Sequence, residues 1–239
     1  MSRYFATGNF VKIIVRSEKK EFILNEKLLC DKADYFKAAF RSGFKESQEK
    51  QLELPEDNPD TFARFVEWLY TNEIKCSQYR HLWGSPGNEV KHDLEFFGLW
   101  VFGDKIRASD LTKAASERCK ICFVQNGYVA SAEGIEFVYS NTTERSQLRE
   151  LLVNATVQRF YGYAVGDDGS VLSPLIAAHE KFGAETMRRI SKHLGAGVKG
   201  CLIEDCCIHG CISREFPSED EPGELPRKCG YDGDDGDYF

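Results

Sequence analysis

The sequence predicts an α+β fold in which a small sheet comes first and helices take up most of the remaining chain. Three observations carry this. Phe10–Val15 is rich in β-branched residues, Ser17–Lys20 is a polar turn and Glu21–Leu24 is again apolar, so the start of the chain reads as a hairpin. Phe22, Ile23 and Leu24 are then followed by Leu28 and Leu29 one helical turn on, so the period changes from two to 3.6 near Asn25. From Pro59 onward the apolar residues recur almost entirely at helical spacing.

Taken in order, the hairpin leads into a short helix containing Leu28 and Leu29. Asp31 stands where an N-cap is expected, and Tyr35, Phe36, Ala39 and Phe40 give a second helix, about Lys32 to Phe40, with one apolar face. Gly43 ends it. Phe44–Ser47 places a large aromatic in a polar connection, Gln51–Leu54 reads as a strand and Pro55 stops it. Pro59 suits a helix start, and Phe62, Phe65, Val66, Leu69 and Tyr70 extend that helix to about Thr71, with Trp68 near the edge of its apolar face. Ser77–Lys91, with Gly84 and Gly87, has no core pattern and reads as a loop. Leu94 to Ile106 is apolar almost all round, as befits a helix in the middle of a domain.

The blocks EFILNEKLLC (Glu21–Cys30), ADYFKAAF (Ala33–Phe40), FKES (Phe44–Ser47), LELPEDNPDTF (Leu52–Phe62) and FVEWLYT (Phe65–Thr71) come in an order that resembles the BTB/POZ family. The resemblance is greatest to short fungal-type BTB proteins and runs from about Gly8 to Cys122, with a weaker likeness to Leu194. It implies a small mixed sheet flanked by a helical cluster, in which FFGLWVFGDKI (Phe96–Ile106) corresponds to the buried fifth helix and Ala108–Phe123 to the closing helix. The expected organisation is a BTB/POZ domain over residues 8–124, a helical extension over 125–195, and a Cys-rich acidic tail over 196–239. In the extension, Ile135, Val138 and Tyr139 mark one helix and Leu148, Leu151, Leu152, Ala155 and Phe160 a second, from about Arg145 to Tyr163. Val165–Gly169 is a turn, and Leu172–Leu194 gives one or two helices interrupted at Gly183. The tail's composition predicts disorder.

Charge narrows the function. Glu215–Phe239 holds nine acids and two bases; taking these from thirty-eight acids and thirty-one bases leaves twenty-nine of each, so the tail carries the net charge of −7. A neutral body without a Lys/Arg stripe counts against nucleic-acid binding. The longest apolar stretch, around Leu99–Phe102, is far short of the roughly twenty residues of a membrane helix, so no membrane partner is expected. MSRYFATGNF lacks the apolar core of a signal peptide, which points to the cytoplasm or nucleus and to free thiols among the nine cysteines. Asn141 and Asn154 open glycosylation sequons that, without a secretory signal, should not be read.

The motifs weigh toward binding rather than catalysis. Cullin-binding members of the resembled family insert an apolar residue, any residue and a Glu from this same loop into a cullin pocket, which implies Phe44 and Glu46 as the contact residues here. Burying a phenylalanine in such a pocket contributes about 1.5–3 kcal/mol. The alternative is that Phe44 folds back over its own core and Glu46 is solvated. Cys119 and Cys122 lie late in a helix, where a packing role is expected rather than a redox pair. Cys201, Cys206, Cys207, His209, Cys211 and Cys229 do not have the spacing of a zinc module. Gly195–Gly200 matches a dinucleotide fingerprint but follows a helix rather than a strand. The acid runs Glu219–Glu221 and Asp232–Asp237 lack the alternate ligands and closing Glu of a calcium loop. His81, His92, His179 and His193 have no nucleophile at a suggestive spacing, so no catalytic residue, cofactor or metal site is expected.

The expected function is therefore a non-enzymatic protein-interaction module. By resemblance it is a substrate adaptor that docks on a cullin ubiquitin ligase, with Arg145–Tyr163 extending the contact and an unknown target protein held elsewhere. No MATH, kelch or zinc-finger domain is visible, which leaves the last third of the chain to hold that target. The alternative is a scaffold or oligomerisation module unrelated to ubiquitin. Nine residues precede Phe10 where dimer-forming members carry an extra helix. Lys12 and Asn25 replace the family's common Asp and His. These features count against a homo-oligomer through the usual face.

Overall fold

Alternation along the first strand decides which way the sheet faces. Val11, Ile13 and Val15 point inward and are buried, while Phe10 points out. In the computed structural model, which describes residues 8–16, 19–43, 45–75, 92–125, 130–163, 174, 176, 177 and 179–196, these residues form β1 (Phe10–Val15), antiparallel to β2 (Lys20–Asn25) with Ile13 opposite Phe22. A third strand, β3 (Gln51–Leu54), runs parallel to β1 with Ile13 opposite Leu52, giving a mixed sheet of order β2-β1-β3. Leu24, Leu52 and Leu54 complete the buried face. The α+β expectation holds: among the described residues all strands lie before residue 55, three short helices separate β2 from β3, and only helices follow β3.

Helix α1 (Glu26–Lys32) begins where the period changes, because the Asn25 side chain accepts a hydrogen bond from the Leu28 N–H at 3.0 Å and caps it. Asp31 does not cap the next helix. It lies inside α1, 2.6 Å from the Lys27 ammonium and 3.9 Å from the Arg41 guanidinium. The break falls at Ala33, extended at φ −146°, and α2 (Asp34–Arg41) opens without a side-chain cap, its first turn favoured only by the charge of Asp34. Phe36 and Phe40 take the buried stripe of α2; Tyr35, one residue off that stripe, is exposed rather than part of the apolar face.

The connection after Gly43 is also more ordered than its polar composition predicts. It contains a single helical turn, α3 (Lys45–Glu49), with no buried side chain. Helix α4 (Pro59–Thr71) starts at the predicted proline, with the Asn58 side chain accepting from the N–H groups of Asp60 and Thr61 at 2.8 and 3.3 Å. Trp68 is not at the edge of this helix. It is buried, with the Lys32 ammonium 5.3 Å from its ring.

The core of this region is aromatic. Phe65 lies with its ring centroid 5.3 Å from Phe102, 5.5 Å from Phe62, 6.1 Å from Phe36 and 6.2 Å from Trp68. Phe22 of β2 reaches the cluster through Phe62 at 4.8 Å, which ties the sheet to α4. Phe102 comes from α5 (His92–Lys105), the helix predicted to be apolar all round, which buries Phe96, Phe97, Leu99, Trp100 and Phe102. Gly98 lets α5 approach α4 closely: a Cβ there would stand 3.1 Å from the Thr61 hydroxyl. Helix α6 (Ser109–Gln125) buries Leu111 and Ala115, and its Ser116 hydroxyl accepts from the Trp100 indole at 3.0 Å. Cys119 and Cys122 on α6 and Cys30 on α1 are buried, and burial pushes the Cys30 thiol up, as suits packing residues rather than nucleophiles.

Helices α7 (Ala132–Asn141), α8 (Gln147–Tyr163) and α9 (Glu180–Ala196) come next. Contacts divide the chain into two compact units, Met1–Cys119 with Ala130–Leu152 and Lys120–Val129 with Val153–Phe239. The unit that holds the sheet therefore includes α7 and the start of α8. In the second unit, α9 runs through Gly183 without the expected interruption. A side chain at 183 would put its Cβ 2.5 Å from the backbone carbonyl of Ile176, so this glycine answers a close approach and does not mark a break. Among the described residues no helix is long and apolar enough to cross a membrane. The loop Ser77–Lys91, the turn Val165–Gly169, the Gly195–Gly200 fingerprint beyond Ala196, the cysteine cluster and the acidic tail lie outside the described residues.

Candidate protein-binding surface

A five-residue helix with every side chain outside the core needs other restraints, and α3 has them at both ends. Gly43 at φ 77° and Lys50 at φ 52° are both left-handed, so the chain turns sharply into and out of the helix. The Lys50 carbonyl accepts the Lys12 N–H of β1 at 2.8 Å, and the Lys50 ammonium pairs with Glu26 of α1 at 3.0 Å. On the helix itself Lys45 and Glu49 form an i,i+4 pair at 3.6 Å. The turn is thus anchored to the sheet and to α1 by its C-terminal residue while its own side chains stay available. Glu46 sits in its first turn, half-buried. Phe44, its partner in the predicted contact, lies outside the described residues.

The outward face of the sheet presents large apolar side chains that the sequence reading did not single out. Phe10 is 54% and Ile23 68% exposed. The register sets Ile23 opposite Lys12, which pairs at 3.1 Å with Glu21. The signal was present in the alternation: once Val11, Ile13 and Val15 are assigned inward, Phe10 must face out.

A groove of about 740 Å³ along α4 and α5 is lined by Arg64, Glu67, Lys75 and Glu95 among others. Its cations are matched, Arg64 by Glu95 and Lys75 by Glu67 at 3.5 Å, so its charges serve the helix pair.

Helix α7 is held at each end by a buried charged side chain of the sign its dipole favours. At the N-terminus the Asp93 carboxylate accepts from the Ser131 N–H and hydroxyl, both at 2.7 Å, while the Ser131 hydroxyl caps the Gly134 N–H. Gly134 is glycine because a Cβ would run into that carboxylate. At the C-terminus the Arg149 guanidinium of α8 donates to the carbonyls of Tyr139, at 2.8 Å, and Thr142, and to the Thr142 hydroxyl at 2.9 Å. It also stacks 4.4 Å from the Tyr139 ring. This fixes α7 against α5 and starts α8 at Gln147, close to the predicted Arg145. The sequon residue Asn154 is buried within α8.

The sequence model of the BTB/POZ domain matches residues 1–82. The chain carries a BTB/POZ domain. Kelch-like protein 40 of Xenopus laevis is 30% identical over 71 residues, which make up 30% of this chain and 12% of that protein. Its counterpart in Xenopus tropicalis is 29% identical over 70 residues, and Kelch-like protein 40b of Danio rerio 28% over 68, each match covering 11% of the relative. The chain therefore spans only a small part of the length of these relatives. The BTB/POZ domain is a protein-interaction module, and α3 and the outer sheet face both belong to it.

Proposed function

We propose that this BTB/POZ protein is a substrate adaptor for a cullin-based ubiquitin ligase, acting in the cytoplasm or nucleus. The observation that carries the reading is α3, a turn anchored at Lys50, with no side chain in the core, that offers Glu46 at the position where cullin-binding members of the family present theirs. Phe44, two residues earlier, supplies the apolar anchor, worth about 1.5–3 kcal/mol when buried in a partner. Arg145–Tyr163 extends the contact, as the paired helices do in related adaptors, and the target protein is held elsewhere on the chain.

Calorimetric titration with the N-terminal domain of the same organism's cullin tests this, with a Phe44→Ala/Glu46→Ala variant beside the wild type. The expected result is submicromolar binding by the wild type, weakened at least about a hundredfold in the variant, as loss of roughly 3 kcal/mol requires. No heat with the wild type would overturn the adaptor reading.

A second reading, BTB-to-BTB assembly without cullin, is favoured by the exposed Phe10 and Ile23. It predicts a dimer by sedimentation that Ile23→Lys converts to monomer, together with no cullin binding. A wild type that sediments as a monomer removes it.

A further inference from the structure

We propose that β2 is a self-pairing edge, on which a second copy of this chain lays its own β2 antiparallel, joining two three-stranded sheets into one across a two-fold axis. In the order β2-β1-β3 the outer side of β2 has no neighbouring strand among the described residues. The groups it presents follow from the ladder. The Glu26 N–H donates to the Asn9 carbonyl at 2.9 Å and Phe10 faces Asn25, so the hydrogen-bonded pairs of the hairpin fall at Val11–Leu24, Ile13–Phe22 and Val15–Lys20. The N–H and carbonyl groups of Glu21, Ile23 and Asn25 therefore point away from β1. The Tyr70 hydroxyl of α4 accepts the Asn25 N–H at 3.3 Å, whereas among the described residues nothing bonds the main chain of Glu21 or Ile23 at this edge.

The usual devices that blunt an exposed edge are missing from β2. It has no proline, and its register with β1 runs without a bulge. Its charged side chains are turned back onto the protein, Lys20 to within 3.8 Å of Asp60 and Glu21 to within 3.1 Å of Lys12, while Ile23 is 68% exposed. A second copy suits this edge because its open groups are self-complementary. They lie two residues apart, so a two-fold axis at Phe22 sets each Glu21 opposite the Ile23 of the other copy and forms four main-chain hydrogen bonds. Slipping the register by two residues sets Glu21 against Glu21 in one direction, and in the other against Asn25, whose N–H is already bonded. In the matched register the two Phe22 side chains face each other directly and the two Ile23 side chains become diagonal neighbours, about 7–8 Å apart. The inference rests on the self-assembly reading above and not on the cullin one, since α3 leads into β3 at the opposite edge of the sheet.

Sedimentation velocity of the full-length chain, run up to about 500 μM because a short edge contact lies at the weak end of interfaces, tests this. Glu21→Ala and Glu21→Pro are compared at one position. Both lose the pair with Lys12, but only proline removes the N–H that points to the edge, and it leaves the ladder bonds to β1 in place. The wild type should dimerise, and Glu21→Pro should do so at least about fivefold more weakly than Glu21→Ala, since each dimer then lacks two hydrogen bonds. Amide exchange of the wild type gives a second readout that needs no variant to fold: the Glu21 and Ile23 amides should become protected as concentration rises, while those of Phe22 and Leu24 are protected throughout. A wild type that stays monomeric sinks this proposal and the self-assembly reading together. A dimer that proline weakens by less than about fivefold relative to alanine, or whose Ile23 amide stays unprotected, overturns the edge pairing alone and leaves assembly through another face.

Discussion

Phe65→Ala is expected to destabilise the protein by about 3–5 kcal/mol, read as a fall in the midpoint of urea unfolding with little change in slope. The size comes from position. Phe65 is fully buried, and Phe36, Phe62, Trp68 and Phe102 surround it from three helices. Truncation removes the transfer free energy of the ring and leaves a cavity whose walls are themselves rings on rigid helices, so collapse into it is restricted. A loss of this size is a large fraction of the 5–15 kcal/mol typical of a domain. Tyr35→Ala, on the same helical layer but outside the core, should cost less than about 1 kcal/mol. If the two variants unfold alike, the aromatic cluster is not the centre of the fold.

That contrast between Phe65 and Tyr35 also measures what the sequence discloses. Hydrophobic period fixes elements well when one face is continuous, and so the bounds of β1, β3 and α4 were legible, α4 starting from Pro59. Periodicity did not separate Tyr35 from Phe36, because both are aromatic and adjacent, and only the direction of the α2 axis against α4 and α5 selects one. Asp31 looked like a cap since it precedes an apolar run, but its carboxylate is drawn to Lys27 and Arg41, and α2 starts uncapped after Ala33. Gly183 looked like a break because glycine weakens a helix by about 1 kcal/mol; the carbonyl of Ile176 that demands it is invisible in a one-dimensional pattern.

The candidate site was legible through family resemblance rather than through chemistry. Nothing in Lys45–Glu49 marks a helix, for it has no apolar face, and α3 exists because left-handed residues and the Lys50 contacts hold its ends. Glu46 was named from the spacing of blocks around it. The restraints on α7 were less visible still. Asp93 and Ser131 are 38 positions apart, and an isolated arginine on an amphipathic helix reads as solvated surface. Ser131 before a helix was the one available signal, since a serine at that position is a common cap.

Asp93→Ala is expected to cost about 1–3 kcal/mol, because the half-buried Ser131 N–H and hydroxyl lose a charged acceptor. Arg149→Ala should cost a similar amount by stripping the carbonyls of Tyr139 and Thr142 of their donor. The informative measurement is the double variant. Ten residues of helix, about 15 Å, separate the two ends, so direct attraction between carboxylate and guanidinium is weak. Independent sites at that distance would add. If α7 is instead released as one body when either end is cut, the second substitution finds little left to lose, and the double variant falls short of the sum by at least about 1 kcal/mol. Hydrogen exchange should agree: each single variant exposes the amides of Ile135–Tyr139 along the whole helix rather than at the cut end alone. Strict additivity, with exchange confined to the nearer end, would mean that α5 holds α7 through Ile135 and Val138 and that the two charges only trim its ends. The shortfall in the double variant is the expected result, because Asp93 and Arg149 supply the polar restraints on a helix of only ten residues, too short to persist by itself in water.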